Sequence, residues 1–410
     1  MDSEKVIKRD NEYVLHTYNR NPIALEKGHG LYAEGPEGQK YLDFTSGIGV
    51  NSLGYCDLTW AEAVSEQAHK LQHTSNLYYT APCGKLAKKL CKRTGMSKVF
   101  FGNSGAEANE GAIKAARKYS VDHYGKDRTT VITLVNSFHG RTIATLTATG
   151  QEVFHNYFGP FNEGFLYAPA GDIEALQELV DRNTCAVMLE LIQGEGGVMA
   201  LDPDYVQAVR KLCDEKDLVL IVDEVQTGVG RTGTFLCCEH YNLQPDVVTL
   251  AKGLGGGLPI GAVLMNEKVA AGMGPGSHGS TFGGSCLAVA AAEATLRTLA
   301  DEGFAARVIG PDLLAFVGGG GTGAAEDLAS GLGLPVKDED GKPVPRGLQR
   351  RAHARGPGPD NDDIPLRTHH LFSSVLKEGA PDCRFTDMPS RTGMRQDCWF
   401  GTPSISMRHS

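Results

Sequence analysis

The 410-residue chain lacks several features that would place it in common protein classes. No apolar segment reaches the roughly 20 residues that a transmembrane helix needs, so no membrane partner is expected. The formal net charge of −9 argues against a nucleic-acid partner, because such proteins present basic surfaces. Hydrophobic residues make up 41% and charged residues 22%, which predicts an ordinary globular chain of two or more domains.

A cysteine framework is also missing. The ten cysteines are scattered, without a C-x-x-C pair, which is typical of reduced thiols inside a cell. The adjacent Cys237 and Cys238 have poor geometry for a disulfide or a shared metal, and no metal site is expected. The first eleven residues are charged and include acids, unlike a secretory or transit peptide. We expect a cytoplasmic protein, or one of a mitochondrial or plastid matrix if a targeting segment is absent from this chain.

Three catalytic motifs are absent: G-x-x-x-x-G-K-[ST], G-x-S-x-G and H-E-x-x-H. Phosphate-loop, hydrolase-elbow and zincin interpretations therefore have no support. Residues 228–233 do match G-x-G-x-x-G. A dinucleotide site needs the first glycine directly after a strand and a helix afterwards, whereas here residues 223–227 intervene and no helix pattern follows. We interpret this match as coincidental.

What the chain does contain is a series of short apolar runs that end in polar residues. Residues 218–222 are continuously apolar and lead into Asp223, and residues 246–250 lead towards Lys252. Such runs are typical of strands buried on both faces, and helix-like segments such as 203–216 alternate with them. The alternation predicts an α/β fold with a mostly parallel sheet and helices on both faces.

The acid and the lysine at these strand ends suggest an aldehyde cofactor carried on a lysine. Lysine is a nucleophile only when neutral, and an imine to the cofactor overcomes that limit. Asp223 would pair with a protonated pyridine nitrogen, and the glycines at 253 and 255–257 would let backbone approach the ring. The alternative is a surface lysine beside a glycine loop and a capping aspartate. These two residues alone leave both interpretations open.

A second strand end predicts an anion site. The strand at 99–101 runs into a small polar turn and then a helix, so free amides and the helix dipole point to one place. Ser104 is predicted to cap this helix, and Glu107 to complete a capping box. The alternative is that the box is only a cap.

A third strand, 129–135, is followed by Phe138, His139 and Arg141. Phe138 would stack on a planar ring or be an ordinary core aromatic. Arg141 would hold a substrate carboxylate in a bidentate fork. His139 is interpreted as a hydrogen-bonding spacer rather than a base.

Together these motifs resemble the class III (subgroup II) pyridoxal-phosphate aminotransferases over residues 14–307. The resemblance rests on six motifs in order: N-S-G-A-E-A-N-E, F-H-G-R, E-L-I-Q-G-E-G-G, D-E-V-Q, A-K-G-L-G-G-G and G-S-H-G-S-T-F-G-G. The G-S-H-G-S-T form is most similar to that of acetylornithine aminotransferases. The resemblance implies fold-type I, transamination of N2-acetylornithine with 2-oxoglutarate in arginine biosynthesis, and pyridoxal 5'-phosphate as cofactor. Ornithine, succinylornithine and 4-aminobutyrate remain alternative donors.

The resemblance also implies a role for each matched residue. The cofactor residues it implies are Lys252 as Schiff-base lysine and proton shuttle, Asp223 for the pyridine nitrogen, Gln226 for the ring hydroxyl, Gly105 and Ala106 for the phosphate, and Phe138 for ring stacking. The substrate residues it implies are Arg141 for a carboxylate, Glu195 as a switch that masks an arginine, and Ser280 near the substrate. Thr281 would reach the phosphate of a neighbouring subunit, which implies a homodimer with shared active sites.

The domain prediction has three parts. Residues 1–55 form an amino-terminal segment with a small antiparallel meander, and residues 56–307 form the large cofactor-binding domain. Residues 308–410 stand in place of the family's small carboxyl-terminal domain and have a low-complexity composition, predicted to be largely disordered. This tail is interpreted as a frameshift or mis-splicing product, or alternatively as a lineage-specific extension. A catalytically impaired homologue that still binds the cofactor is therefore the rival function.

Overall fold

The computed structural model describes residues 2–300 and the backbone of Val375–Lys377. Apart from Val375–Lys377, the tail at 308–410 for which disorder and an aberrant origin are predicted lies outside the described residues. The chain divides into two compact units. The first comprises Met1–Ser46, Gly54–Asp57 and Phe372–Ser410, and the second comprises Gly47–Leu53 and Leu58–Leu371.

The secondary structure alternates through most of the described chain. The helices are α1 (Ser3–Tyr13), α2 (Ser46–Gly49), α3 (Leu58–Ala68), α4 (Ala81–Thr94), α5 (Gly105–Tyr124), α6 (Ile143–Ala148), α7 (Ile173–Leu179), α8 (Pro203–Lys216), α9 (Glu267–Ala270) and α10 (Cys286–Leu299). The strands are β1 (Lys27–His29), β2 (Tyr32–Glu34), β3 (Lys40–Asp43), β4 (Lys98–Gly102), β5 (Thr130–Leu134), β6 (Phe165–Ala168), β7 (Thr184–Leu189), β8 (Ile192–Gln193), β9 (Met199–Ala200), β10 (Val219–Asp223), β11 (Val247–Leu250), β12 (Gly261–Met265) and β13 (Val375–Lys377).

The first unit contains one antiparallel sheet in the order β1-β2-β3-β13. Its first three strands occupy the stretch where turn residues predict a meander. The backbone of β13 adds a fourth strand beside β3. Tyr55 donates its hydroxyl hydrogen to Asp43 Oδ2 at 2.7 Å, which fastens the 54–57 segment to the end of β3.

The second unit is built on a seven-stranded sheet in the order β4-β12-β11-β10-β7-β5-β6. Strand β12 alone runs antiparallel to its neighbours β11 and β4. Because β10 and β11 are parallel, Asp223 lies opposite Thr249, one residue before the end of β11. The mostly parallel sheet predicted from the apolar runs is confirmed.

Both faces of this sheet are covered by helices. Leu220 and Val222 pack in one apolar cluster that includes residues of α4, α7, α8 and α10. Val219 and Ile221 pack in another, which includes residues of α5 and α9. This alternation explains why β10 is apolar at every position, since both of its faces are buried. None of the helices in the described part of the chain is long and apolar enough to span a membrane.

Candidate active site

A cavity of about 450 Å³ opens within the second unit at the carboxyl ends of β10 and β11 and the amino end of α5. This is the edge at which open α/β sheets bind their ligands. The cavity is lined by Val50, Asn103, Ser104, Gly105, Ala106, Asn109, Phe138, His139, Gly140, Arg141, Glu190, Glu195, Asp223, Val225, Gln226, Ala251, Lys252, Gly257, Leu258, Pro259 and Ile260. Eight of the ten predicted site residues are in this lining.

Lys252 enters the cavity two residues after β11 ends. Its backbone has φ of 36°, a left-handed conformation that an L-residue adopts at some cost. Burial is the main influence on the amine and lowers its pKa, while Asp223, Glu195 and Glu190 act in the opposite direction. Within residues 2–300, no hydrogen bond or ion pair engages the amine. The nitrogen is therefore available to react with a carbonyl carbon.

Asp223 is held on both oxygens by neighbouring donors. Its Oδ2 accepts hydrogen bonds from Asn109 Nδ2 at 2.7 Å and from His139 Nδ1 at 2.8 Å. Its Oδ1 accepts one from the Val225 amide at 3.0 Å. The carboxylate is 4% exposed, so its orientation is set by these contacts rather than by water. His139 acts as the hydrogen-bonding spacer that the sequence predicts.

The amino end of α5, where the sequence predicts an anion site, lies at the cavity wall. Ser104 Oγ accepts a hydrogen bond from the Glu107 amide at 3.1 Å, which confirms the cap. The second half of the predicted capping box is wrong, because Glu107 Oε2 accepts from the Asn103 amide at 2.7 Å and not from the Ser104 amide. The first amides of a helix have no partner inside the helix, and those of Gly105 and Ala106 are at the cavity wall.

Phe138 is anchored through its backbone. Its amide donates to Glu190 Oε2 at 2.9 Å. Glu190 follows β7 and is buried; its pKa is raised well above the ordinary carboxyl value, first by burial and next by the charge of Asp223. The Glu190 carboxyl group therefore fixes the segment that carries the half-buried Phe138 ring.

Gln226 and Glu195 are neighbours at the cavity wall. Gln226 Nε2 lies 3.4 Å from Glu195 Oε1 and donates a hydrogen bond to it. A Cβ atom at Gly194 would lie 1.5 Å from Gln226 Oε1, so any other residue at this position would require the Gln226 side chain to move. The glycine of the E-L-I-Q-G-E motif thus has a specific steric role.

Arg141 is at the exposed edge of the cavity. Its guanidinium carbon lies 4.0 Å from the ring centroid of Phe154 and 5.4 Å from that of Phe138. The exposed guanidinium can bind a carboxylate by donating hydrogen bonds from its N–H edge, while its face stays against the rings.

Two predicted residues do not line this cavity. Ser280 Oγ accepts hydrogen bonds from Asn103 Nδ2 at 3.1 Å and from the Gly283 amide at 3.0 Å, while Thr281 is exposed. Ser280 thus contacts Asn103, which lines the cavity, but does not line the cavity itself. Thr281 was predicted to serve a neighbouring subunit, so its position outside this cavity is compatible with that prediction.

The sequence analysis assigns no role to several wall residues, among them Asn109, Glu190 and Val225. Glu190 carries the same signal as Asp223, an acid directly after a buried strand, and was overlooked. Asn109 follows Gly105 by one helical turn and so lies on the same face of α5. Val225 gave no signal beyond its place in D-E-V-Q.

The donor set fits pyridoxal phosphate. Free amides face one end of the cavity, a fixed carboxylate stands at the strand edge and an unpaired amine lies between buried acids. A Cβ atom at Gly105 would lie 2.6 Å from Val225 Cγ1, so the glycine keeps the helix start close to the wall. These groups match a phosphate, a ring nitrogen and an aldehyde respectively.

Comparisons with known proteins agree with this geometry. The family described as Aminotransferase class-III matches residues 13–310. An acetylornithine aminotransferase of Haemophilus ducreyi is 56% identical over 300 residues, covering 73% of this chain and 76% of that protein. One from Caldanaerobacter subterraneus is 54% identical over 299 residues, covering 73% and 76%.

Solved structures have the same fold. The ornithine aminotransferase of Toxoplasma gondii superposes with a TM-score of 0.72 at 37% identity, covering 75% of this chain and 74% of that one. The acetylornithine aminotransferase of Elizabethkingia anophelis superposes with a TM-score of 0.67 at 35% identity, covering 77% of each chain.

Proposed function

Because the chain belongs to the class-III aminotransferases, we propose that it transfers the δ-amino group of N2-acetylornithine to 2-oxoglutarate, forming N-acetylglutamate 5-semialdehyde and glutamate. The observation that carries this proposal is the free Lys252 amine beside the fixed Asp223 carboxylate in one cavity. Relatives named as acetylornithine aminotransferases support the choice of donor. The reaction belongs to arginine biosynthesis.

Pyridoxal phosphate, when bound, supplies the aldehyde that takes up the amino group and the ring that acts as an electron sink. Lys252 Nζ is the attachment point. When released, it is the base that moves a proton at the carbon bearing the transferred amino group. Burial favours its neutral form, which suits both tasks.

The remaining cofactor residues orient the ring. The amides of Gly105 and Ala106 hold the phosphate at the start of α5. Asp223 would pair with the ring nitrogen through a carboxylate that Asn109 and His139 keep in place. Phe138 would stack on the ring, and Gln226 would donate to the ring hydroxyl.

The substrate is held by charge at the cavity edge. Arg141 binds the α-carboxylate of the donor in a bidentate fork. Glu195 is half-buried beside Gln226 and discriminates between the amino donor and the oxo acid by pairing with, and releasing, a cation. In the family this cation is an arginine of the small carboxyl-terminal domain, whose place in this chain is after residue 307 and outside the described residues.

The proposed enzyme is a homodimer with shared active sites. An exposed apolar group on the second unit supports this, formed by Leu77, Tyr78, Tyr79 and Phe282. Exposed clusters of this kind mark interaction surfaces. Thr281 is exposed next to Phe282 and would reach the phosphate of the neighbouring cofactor, with Ser280 close to the substrate.

A two-step experiment tests the proposal. First, the protein is mixed with pyridoxal phosphate, reduced with borohydride and digested, and the modified peptide is identified by mass spectrometry. We expect one modified peptide, containing Lys252, and none in Lys252→Ala. Modification elsewhere, or equal modification of the variant, would overturn the assignment of Lys252.

Second, the visible absorption of the cofactor-loaded protein is recorded before and after addition of N2-acetylornithine. Loss of the absorption band of the lysine-bound cofactor, reversed by 2-oxoglutarate, is the expected result. A band that ignores every amine would indicate the rival function, an impaired homologue that binds the cofactor. A stronger response to ornithine or 4-aminobutyrate would indicate the second candidate, an ω-aminotransferase of another donor, which the fold match to an ornithine aminotransferase favours.

A further inference from the structure

The Arg141 guanidinium packs against two aromatic rings. Within the described part of the chain it has no hydrogen bond or ion pair, and its guanidinium carbon lies 4.0 Å from the Phe154 centroid and 5.4 Å from the Phe138 centroid. The two rings are 5.9 Å apart and nearly perpendicular, with an interplanar angle of 76°. Phe154 therefore makes the closer of the two contacts that define where the guanidinium lies.

Phe154 does not itself line the cavity, and its neighbours in the chain are held by hydrogen bonds outside the cavity. It ends a 3₁₀ turn, Glu152–Phe154, that follows α6. Gln151 Nε2 donates to the Ser137 carbonyl at 3.0 Å, before the turn. After the turn, His155 Nε2 is 2.8 Å from the Leu146 carbonyl. The turn that carries Phe154 is thus anchored on both sides by contacts that do not involve Arg141.

In this arrangement different parts of the guanidinium make the ring contact and bind the carboxylate. Its flat face lies against a ring, where the cation is attracted by the aromatic quadrupole. Its N–H edge stays free for the two parallel hydrogen bonds that a carboxylate accepts. A long side chain that is already ordered loses less freedom when it binds its ligand.

We propose that Phe154 is a positioning residue that holds Arg141 ready for the donor's α-carboxylate, and so sets the preference for carboxylate-bearing donors over the corresponding amines. The inference rests on the proposed role of Arg141 and extends it to a residue that touches neither substrate nor cofactor. A ring that merely stabilised the surface would affect both kinds of donor equally.

The test compares two donors that differ only in the carboxylate. N2-acetylornithine and N-acetylputrescine share the reacting amine and the acetyl group, but the second lacks the α-carboxylate. Phe154→Leu keeps an apolar side chain and removes the ring face. We expect KM for N2-acetylornithine to rise about 5- to 10-fold with kcat within about 2-fold, and kcat/KM for N-acetylputrescine to stay unchanged.

Two further variants serve as controls. Phe154→Tyr retains the ring and is expected to behave like the unchanged protein. Tyr157→Leu removes an exposed aromatic side chain from the same segment and is expected to leave kcat/KM unchanged for both donors. An equal loss with both donors, or no loss with N2-acetylornithine, would overturn the role of Phe154.

Arg141→Gln separates this inference from the proposed function. If this variant keeps the full preference for N2-acetylornithine, Arg141 does not bind the carboxylate and both ideas fail. If it abolishes the preference while Phe154→Leu retains it, only the inference about Phe154 fails. Phe154→Leu added to Arg141→Gln should have no further effect.

A binding measurement covers the case of slow turnover. The dissociation constants of both donors are obtained by titrating the visible spectrum of the cofactor-loaded protein. Phe154→Leu should raise the dissociation constant of N2-acetylornithine about 5- to 10-fold and leave that of N-acetylputrescine unchanged. Equal dissociation constants in the variant and the unchanged protein would contradict the inference without any turnover.

Discussion

Asn109 donates a hydrogen bond from Nδ2 to Asp223 Oδ2 at 2.7 Å, joining the second turn of α5 to the end of β10. The same amide nitrogen donates to the His139 carbonyl at 2.7 Å. Asn109 is 1% exposed, so neither bond is shared with bulk water. One side chain therefore connects three parts of the proposed site. These are α5, which would bind the phosphate, Asp223, which would pair with the ring nitrogen, and the segment after β5.

Replacing Asn109 with alanine should loosen this connection. Leaving buried acceptors without a donor typically costs about 1–3 kcal/mol, and we expect the free energy of unfolding to fall by that amount. The dissociation constant of pyridoxal phosphate should rise about tenfold, because Asp223 loses one of its fixed donors. Urea unfolding and absorption titration measure the two effects. Asn156→Ala, at an exposed asparagine, should change neither.

The strand-end residues could be predicted from sequence for a simple reason. Parallel strands bring their carboxyl ends to one edge of the sheet, so Asp223 and Lys252 had to lie near each other once the apolar runs were interpreted as parallel strands. The helix start at Gly105 follows from the same logic. The structure brings all three to one cavity.

Residues that act through tertiary contacts could not be found in this way. Phe154 reaches Arg141 because a 3₁₀ turn folds back onto the cavity edge, and no periodic pattern encodes that turn. The Glu107 carboxylate accepts from the Asn103 amide instead of completing a capping box, since the amides of Asn103 and Ser104 are neighbouring donors that compete for it. Such choices depend on local geometry that residue spacing leaves open.

Gly105→Ala should weaken cofactor binding without unfolding the protein. The new Cβ atom would lie 2.6 Å from Val225 Cγ1, so the helix start or the cavity wall must shift. We expect the dissociation constant of pyridoxal phosphate to rise at least about tenfold, since amides aimed at a phosphate tolerate little displacement. Gly84→Ala is the matched control, because it lies in α4 with nothing within 4 Å of the new atom. That control should stabilise the protein by about 0.5–1 kcal/mol.

Glu224→Ala should destabilise the second unit more than any variant above. The buried Glu224 carboxylate accepts hydrogen bonds from the amides of Cys237 at 3.0 Å and Cys238 at 2.8 Å, and from Thr227 Oγ1 at 2.7 Å. Removing it leaves these donors buried without an acceptor, which should lower the free energy of unfolding by about 3 kcal/mol or more. Glu215→Ala, on the exposed side of α8, should change it by less than about 0.5 kcal/mol. Urea unfolding measures both.

Glu190 should make the stability of the cofactor-free protein depend on pH. Burial, and next the charge of Asp223, raise the pKa of Glu190, while the Phe138 amide and Lys252 act against this. The folded chain therefore keeps a proton that the unfolded chain releases above about pH 4.3. The free energy of unfolding contributed by this group must fall as pH rises from that value through the raised pKa, and then level off.

Glu190→Gln removes this dependence while keeping an oxygen that can accept the Phe138 amide hydrogen. The free energy of unfolding of this variant, relative to the unchanged protein, should increase as pH rises from about 4.5 to 8. Urea unfolding at intervals of one pH unit measures the difference. Glu178→Gln, at an exposed position on α7, should give a difference that is flat across the same range. A flat difference for Glu190→Gln as well would mean that Glu190 is ionised in the folded protein, and that its contact with the Phe138 segment is made by a carboxylate.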